Sequence, residues 1–151
     1  LKIRLVKDDD AQTIFEWRNH PNIRNNSQNS EVISWTDHQK WFKERLSGKH
    51  GPLLIGEVNH LPIGVVRFDV HQSDAEVSIY RVPGTGSKGW GSLLLKKSEF
   101  WLNQQYPQVL NLRAKVLPDN TRSINLFEKL NYIAKAHTSP MVFEKLMERC
   151  Q

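Results

Sequence analysis

The chain has 151 residues, 38% hydrophobic and 25% charged, which is the size and balance of one globular domain spanning residues 1–151. No apolar run approaches the roughly 20 residues needed to cross a bilayer, and no signal-peptide pattern opens the chain, so no membrane partner is expected. The net charge of +5 is scattered, without a basic block or arginine-rich arm, which argues against nucleic acid and suits a phosphorylated small molecule. Cys150 is the only cysteine, so no internal disulfide is expected, and a reducing, cytoplasmic setting fits. An opening Leu1 in place of Met suits a processed or excised product.

Lys2 to Val6 alternates as a first strand, and Asp8-Asp9-Asp10 supplies the start of a helix over Ala11–Asn19, ended by His20-Pro21. Asn22 to Ser30 is polar and aperiodic and reads as a loop. Ser34-Trp-Thr-Asp37 opens a second helix, Trp35–Leu46, which puts His38 on one face with Trp35, Phe42 and Leu46. A histidine so placed is either a packed ring or a ligand contact at the edge of the core. Pro52–Val58 and Ile63–Val70 read as strands joined by a turn at Asn59–Pro62. A third strand, Ala75–Val82, carries Glu76, Ser78 and Tyr80 on one face, which fits either solvent or a substrate cleft.

A glycine-rich turn, Val82-Pro-Gly-Thr-Gly-Ser-Lys-Gly-Trp-Gly-Ser92, leads into a helix over Trp90–Gln105. Bare backbone N–H groups and the positive end of the helix dipole meet there, so the turn either holds an anion or serves only to reverse the chain. A strand (Leu110–Val116), a helix (Thr121–Leu130) and a terminal hairpin (Tyr132–His137, Met141–Leu146) follow. Asn131 stands where a helix end requires a left-handed residue. The order β-α-α-β-β-β-α-β-α-β-β predicts a mixed α/β fold, a meander followed by one parallel crossover.

Gly84-Thr-Gly-Ser-Lys-Gly89 spells G-x-G-x-x-G, but it follows a meander and has no acidic partner about 20 residues on, which excludes a dinucleotide fold. Trp90 after Gly89 excludes the nucleotide-triphosphate loop, and the six histidines lack metal-ligand spacing, so no metal is expected.

Gly86-Ser-Lys-Gly89-Trp-Gly91 resembles the Q/R-x-x-G-x-G/A loop of the GNAT superfamily of acyl-CoA-dependent N-acyltransferases, with Gly86 replacing Gln or Arg. Asn120-Thr-Arg-Ser123-Ile-Asn-Leu-Phe127-Glu-Lys-Leu-Asn-Tyr132 is similar to the later family block N-x-x-S-x-x-L/V-Y/F-E-K-L-G-F/Y. The resemblance covers nearly the full chain. It implies a GNAT-like fold, a mostly antiparallel central sheet flanked by about four helices, and acetyl-CoA as the cofactor. Its pyrophosphate and arm would lie on Val82, Gly86, Ser87, Lys88, Gly89, Trp90, Gly91, Ser92, Asn120, Ser123 and Phe127, with a backbone N–H near Val82 polarising the thioester carbonyl. Phe127 replaces the tyrosine that protonates the leaving thiolate in many members, so another group, water or an unprotonated departure serves instead. The resemblance also implies Glu76 as base, Tyr80 as a relay on its face, and His38 as a rival base.

Trp17-Arg-Asn19-His-Pro-Asn-Ile-Arg24, Ile33 and His38-x-x-Trp41-Phe42 look like the branch that acetylates nucleotide-linked 4-amino-sugars in pseudaminic-acid-type synthesis. That reading implies Arg18, His38 and Arg67 on the diphosphate or uracil of a UDP-type nucleotide and Tyr80 on the sugar, and separately from it the chain is expected as a monomer or homodimer. A protein N-terminal acetyltransferase and a non-catalytic CoA-binding module are the alternatives.

Overall fold

In β3 (Leu61–His71) Val66 and Phe68 are buried on one face of the strand and Val65 on the other, so the sheet that contains it is covered on both sides. The computed structural model describes residues 1–27, 29–86 and 89–147. It forms one seven-stranded sheet in the order β1-β2-β3-β4-β5-β7-β6. The other strands are β1 (Lys2–Leu5), β2 (Leu53–Val58), β4 (Asp74–Arg81), β5 (Asn111–Val116), β6 (Ile133–Ala136) and β7 (Met141–Leu146). Every pairing is antiparallel except β4 with β5, the expected crossover.

Helices α1 (Ala11–Asn19) and α3 (Trp35–Leu46) cover one face over β1–β3, where Ile14 and Phe42 pack on Leu53, Ile55 and Val65. Helices α4 (Trp90–Gln105) and α5 (Thr121–Lys129) cover the other, where Leu94, Leu95, Leu102 and Phe127 pack on Val66, Phe68, Val77, Leu112 and Phe143. Each fully buried aliphatic or aromatic side chain contributes about 1.5–3 kcal/mol.

Two expectations need correction. Pro21 does not merely end α1: it opens a short helix, α2 (Pro21–Arg24), whose N-cap His20 accepts the Asn22 N–H at Nδ1 (3.1 Å). The β2–β3 turn is two residues long, Asn59 and His60 at φ 51 and 66, a left-handed pair matched to strand twist, and Leu61 and Pro62 already belong to β3. Asn131 adopts φ 70, as the helix end demands.

Gly56 and Gly64 face each other across β2 and β3, and the Leu94 side chain sits astride them. A Cβ on either glycine would come within 2.4 Å of a Leu94 methyl. The missing side chains let the first turns of α4 lie low on the sheet.

Residues 20–33 are tied at their base. Asn19 donates to the Ile33 carbonyl (2.9 Å) and accepts the Ile33 N–H (2.7 Å), while Arg24 reaches the carbonyls of Asn19 and Ser30.

Candidate active site

The parallel strands β4 and β5 pair only at Asp74–Asn111, Ala75–Leu112 and Glu76–Arg113. Beyond Glu76 they part, because each stays bound to its outer neighbour: β4 to β3 as far as Arg81, β5 to β7 as far as Val116. The V-shaped gap opens into a cleft of about 1250 Å³ running from the glycine turn to the wall under α1. That exceeds the roughly 300–1,000 Å³ of a site for one small ligand. The cleft can take two substrates meeting at the gap.

Strand parity decides which main-chain groups face the gap. The Val82 N–H donates to the Ile63 carbonyl (2.9 Å), and Tyr80 and Ser78 share that parity, so their peptide groups bind β3. The Val82 N–H itself is therefore taken, and a thioester donor near Val82 has to come from a neighbour of the opposite parity. Ile79, of the opposite parity and beyond the last β4–β5 pair, directs its N–H into the gap.

The glycine turn hangs from β3. The Ile63 carbonyl accepts from the Val82 N–H, from Arg81 Nε (3.0 Å) and from Thr85 Oγ1 (3.3 Å), while a second Arg81 nitrogen donates to the Thr85 carbonyl. Gly84 and Gly89 adopt φ 85 and 90, conformations that L side chains rarely take, and Gly89 caps α4. A Cβ at Gly84, Gly86 or Gly89 would meet nothing within 4 Å. All three line the cleft, as do Gly91 and Ser92, so side chains there would fill the cradle itself. Trp90 packs against the core instead, and Ser87 and Lys88 lie outside the described residues.

Across the cleft, Asn120 caps α5 by accepting the Ser123 N–H (3.2 Å). Its amide nitrogen is not used in that bond, and both residues line the cleft. Phe127, only 2% exposed, packs edge-on against Tyr132 (4.9 Å between ring centres) and closes the cleft floor. Arg81, Arg122 and Lys129 add positive charge on this side. Cradle, helix ends and cations fit a coenzyme with a pyrophosphate.

The opposite wall is also cationic. Arg18 stacks 3.9 Å over Trp41, and burial, then the nearby Arg67, lowers its pKa to about 10, which leaves it charged at neutral pH. Arg67 donates to Ser78 Oγ (3.0 Å) and lies 3.5 Å from Asp69, a carboxylate it shares with Arg45. Tyr80 faces the same wall. Burial pushes its hydroxyl well above the usual phenol range, against the pull of Arg18 and Arg67, and the hydroxyl makes no hydrogen bond among the described residues. Tyr80 is thus a neutral donor beside two guanidinium groups.

Glu76 marks the foot of the V, with Lys115 Nζ 3.2 Å from its carboxylate. Glu76 and Tyr80 share a face of β4 as expected, but they stand about 13 Å apart along the strand. A direct hydrogen-bond relay between them is excluded, and Ser78 lies in between. His38 is not on the cleft surface: it is 0% exposed and enclosed by Phe15, Trp35, Trp41 and Phe42 at 5.2–5.8 Å between ring centres. Nε2 donates to the Ala11 carbonyl (2.7 Å) and Nδ1 accepts from Arg18 (3.0 Å). With both ring nitrogens engaged, His38 neither takes a substrate proton nor touches the acceptor.

Sequence reasoning missed Lys115, the Ile79 N–H and the amide-rich rim of Asn22, Asn25 and Asn26. Only Lys115 had a signal, since it alternates with the buried Ala114 and Val116 and so faces the uncovered side of β5. Among the described residues, no group of three or more side chains could hold a metal, and no helix is long and apolar enough to cross a membrane.

The sequence matches the acetyltransferase (GNAT) domain over residues 1–133. It is 23% identical to Acetyltransferase PseH of Campylobacter jejuni subsp. jejuni serotype O:23/36 (strain 81-176) over 128 residues, 84% of this chain and 79% of that protein. The fold is similar to that of spermidine N-acetyltransferase from Vibrio cholerae, solved with CoA and spermine, at a TM-score of 0.83 and 14% identity over 97% and 95% of the two chains. It is also similar to yncA, a putative acetyltransferase from Salmonella typhimurium solved with its cofactor acetyl-CoA, at 0.79 and 20% over 99% and 95%. With a family match across most of the sequence and a coenzyme cradle built where the strands part, the chain belongs to the GNAT family of acetyltransferases, and its cofactor is acetyl-CoA.

Proposed function

We propose that the acceptor is a nucleotide-linked amino-sugar, in which the anionic diphosphate lies against Arg18 and Arg67 and the sugar amine reaches the gap beside Ser78. The observation that carries this reading is the charge of the acceptor wall. Arg18 and Arg67 line it, Glu31 is the one acidic residue among the described residues that line the cleft, and the carboxylate of Asp69 lies 3.5 Å from Arg67. Such a wall attracts a diphosphate through planar guanidinium groups and repels a polyamine. The likeness to Acetyltransferase PseH and the Trp17–Phe42 motifs of the amino-sugar branch agree with it.

In the reaction, the neutral amine nitrogen attacks the acetyl carbonyl carbon, a C–N bond forms, and the C–S bond breaks to release the thiolate. The surplus amine proton passes through water to Glu76. The Ile79 N–H donates to the carbonyl oxygen as its charge develops. The positive wall also disfavours the ammonium form of the amine, which lightens the work of the base.

Release of thiol from acetyl-CoA, followed with a UDP-linked 4-amino-sugar, an N-terminal alanyl peptide, spermidine or no acceptor, tests the assignment. Release with the amino-sugar at least about tenfold faster than with the others is expected. Turnover confined to the peptide moves the protein to the N-terminal acetyltransferases, and tight CoA binding without turnover of any amine makes it a binding module. Glu76→Gln should shift the acid limb of the rate profile to higher pH more than it lowers the plateau. An unmoved profile removes Glu76 as the base.

A further inference from the structure

His38 carries chemistry that the reaction does not use. The Ala11 carbonyl can only accept and the Arg18 guanidinium can only donate, so the two contacts at 2.7 and 3.0 Å fix a single form of the ring, neutral with its proton on Nε2. The charged or titratable groups around His38 and Arg18 are Arg67 from β3, Tyr80 from β4 and Arg45 from α3, which also supplies the rings of Trp35, Trp41 and Phe42. Among the described residues no carboxylate pairs with Arg18. The imidazole lone pair and the Trp41 face are what hold it.

We infer that His38 is a positioning residue that acts through Arg18, holding the guanidinium at the cleft wall while neutral and releasing it on protonation, so that acceptor affinity falls in acid. This rests on the reading of Arg18 as the contact for the acceptor's anion. Protonation would remove the only acceptor that His38 offers Arg18 and set two cations face to face. Burial first, and then Arg18, holds the ring below its ordinary value of 6.5. The sign follows: affinity that needs the neutral ring is fully present above pH 6.5 and is lost as the pH falls through the depressed value.

The test uses UDP-glucose, whose diphosphate has no titrating group between about pH 5 and 8, with binding read by calorimetry. The dissociation constant of the wild type should rise about tenfold as acidification protonates the His38 ring, the size of one charge-assisted hydrogen bond, with the ring's titration followed by nitrogen-15 NMR. His38→Gln, whose amide can donate to Ala11 and accept from Arg18, should bind within about threefold of wild type near pH 8 and lose the pH dependence. His38→Phe should bind about tenfold more weakly at every pH. Affinity of the wild type that does not change as the His38 ring takes up its proton, or the same acid loss in His38→Gln, overturns the inference.

Should wild type fail to bind UDP-glucose, the nucleotide reading falls, and nitrogen-15 NMR of the ring and of the Arg18 side chain decides for His38 alone. An Nε2–H ring, with Arg18 N–H exchange slow in wild type and His38→Gln but fast in His38→Phe, supports positioning. An Nδ1–H ring, or Arg18 exchange unaffected in His38→Phe, refutes it.

Discussion

Gly64→Ala is expected to destabilise the protein by about 1–3 kcal/mol and to weaken acetyl-CoA binding about tenfold, an unusual outcome for a glycine in the middle of a strand. Removing a strand glycine normally helps, because alanine restricts the unfolded chain and has the better propensity. At this position the new Cβ would stand 2.4 Å from Leu94 Cδ2 and 2.9 Å from the Tyr80 carbonyl oxygen, one contact on a fully buried side chain and the other on backbone. Neither can retreat within a close-packed interior, so α4 must lift. Leu94 lies one turn inside α4, and lifting it moves the helix N-terminus away from the parted strands. Urea unfolding and calorimetry with acetyl-CoA check both effects. In Gly64→Ala with Leu94→Ala, the second change relieves the clash, so the pair should cost clearly less than the sum of the single variants. Strict additivity, or a Gly64→Ala protein as stable as wild type, would show that the glycine pair does not set the height of α4.

Arg18→Gln should raise the KM of the acceptor about ten- to a hundredfold while leaving acetyl-CoA binding within about twofold, as expected for loss of a charge-assisted contact made only on the acceptor side. Arg67→Gln should do the same and also shift the acid limb of kcat/KM to higher pH, since one cation fewer then opposes the ammonium form of the amine. Arg67 is the more informative of the two because it touches Ser78 at the edge of the gap, whereas Arg18 stands further back on Trp41. Steady-state kinetics against each substrate separates the effects. If both variants raise the KM of acetyl-CoA instead, the arginines belong to the coenzyme's side and the division of the cleft is reversed.

The fold was largely legible because its local signals agree with one another. Ser34 caps α3 and Asn120 caps α5 through the side-chain bonds their positions imply, and Ala75 and Val77 turn inward while Glu76 and Ser78 do not. Pro21 misled because proline both ends a helix and starts one, and only the His20 cap decides between them.

The site was less legible because its chemistry depends on register and on neighbours far away in sequence. Whether Val82 or Ile79 turns its N–H to the gap follows from which β4 residues pair with β3, a fact no local pattern contains. His38 sits at the spacing of a buried face and in the motif of a ligand face. Its ring nitrogens meet Ala11 and Arg18, 27 and 20 residues away.

Asn19 gives the acceptor side a different kind of freedom. Its two bonds to Ile33 close residues 20–33 into a ring whose neck is part of α1, so the chain that forms the rim adds little loop entropy to the rest of the fold. A rim fastened in this way behaves as an exchangeable cassette. Changes in its length should therefore leave the stability of the seven-stranded sheet almost untouched.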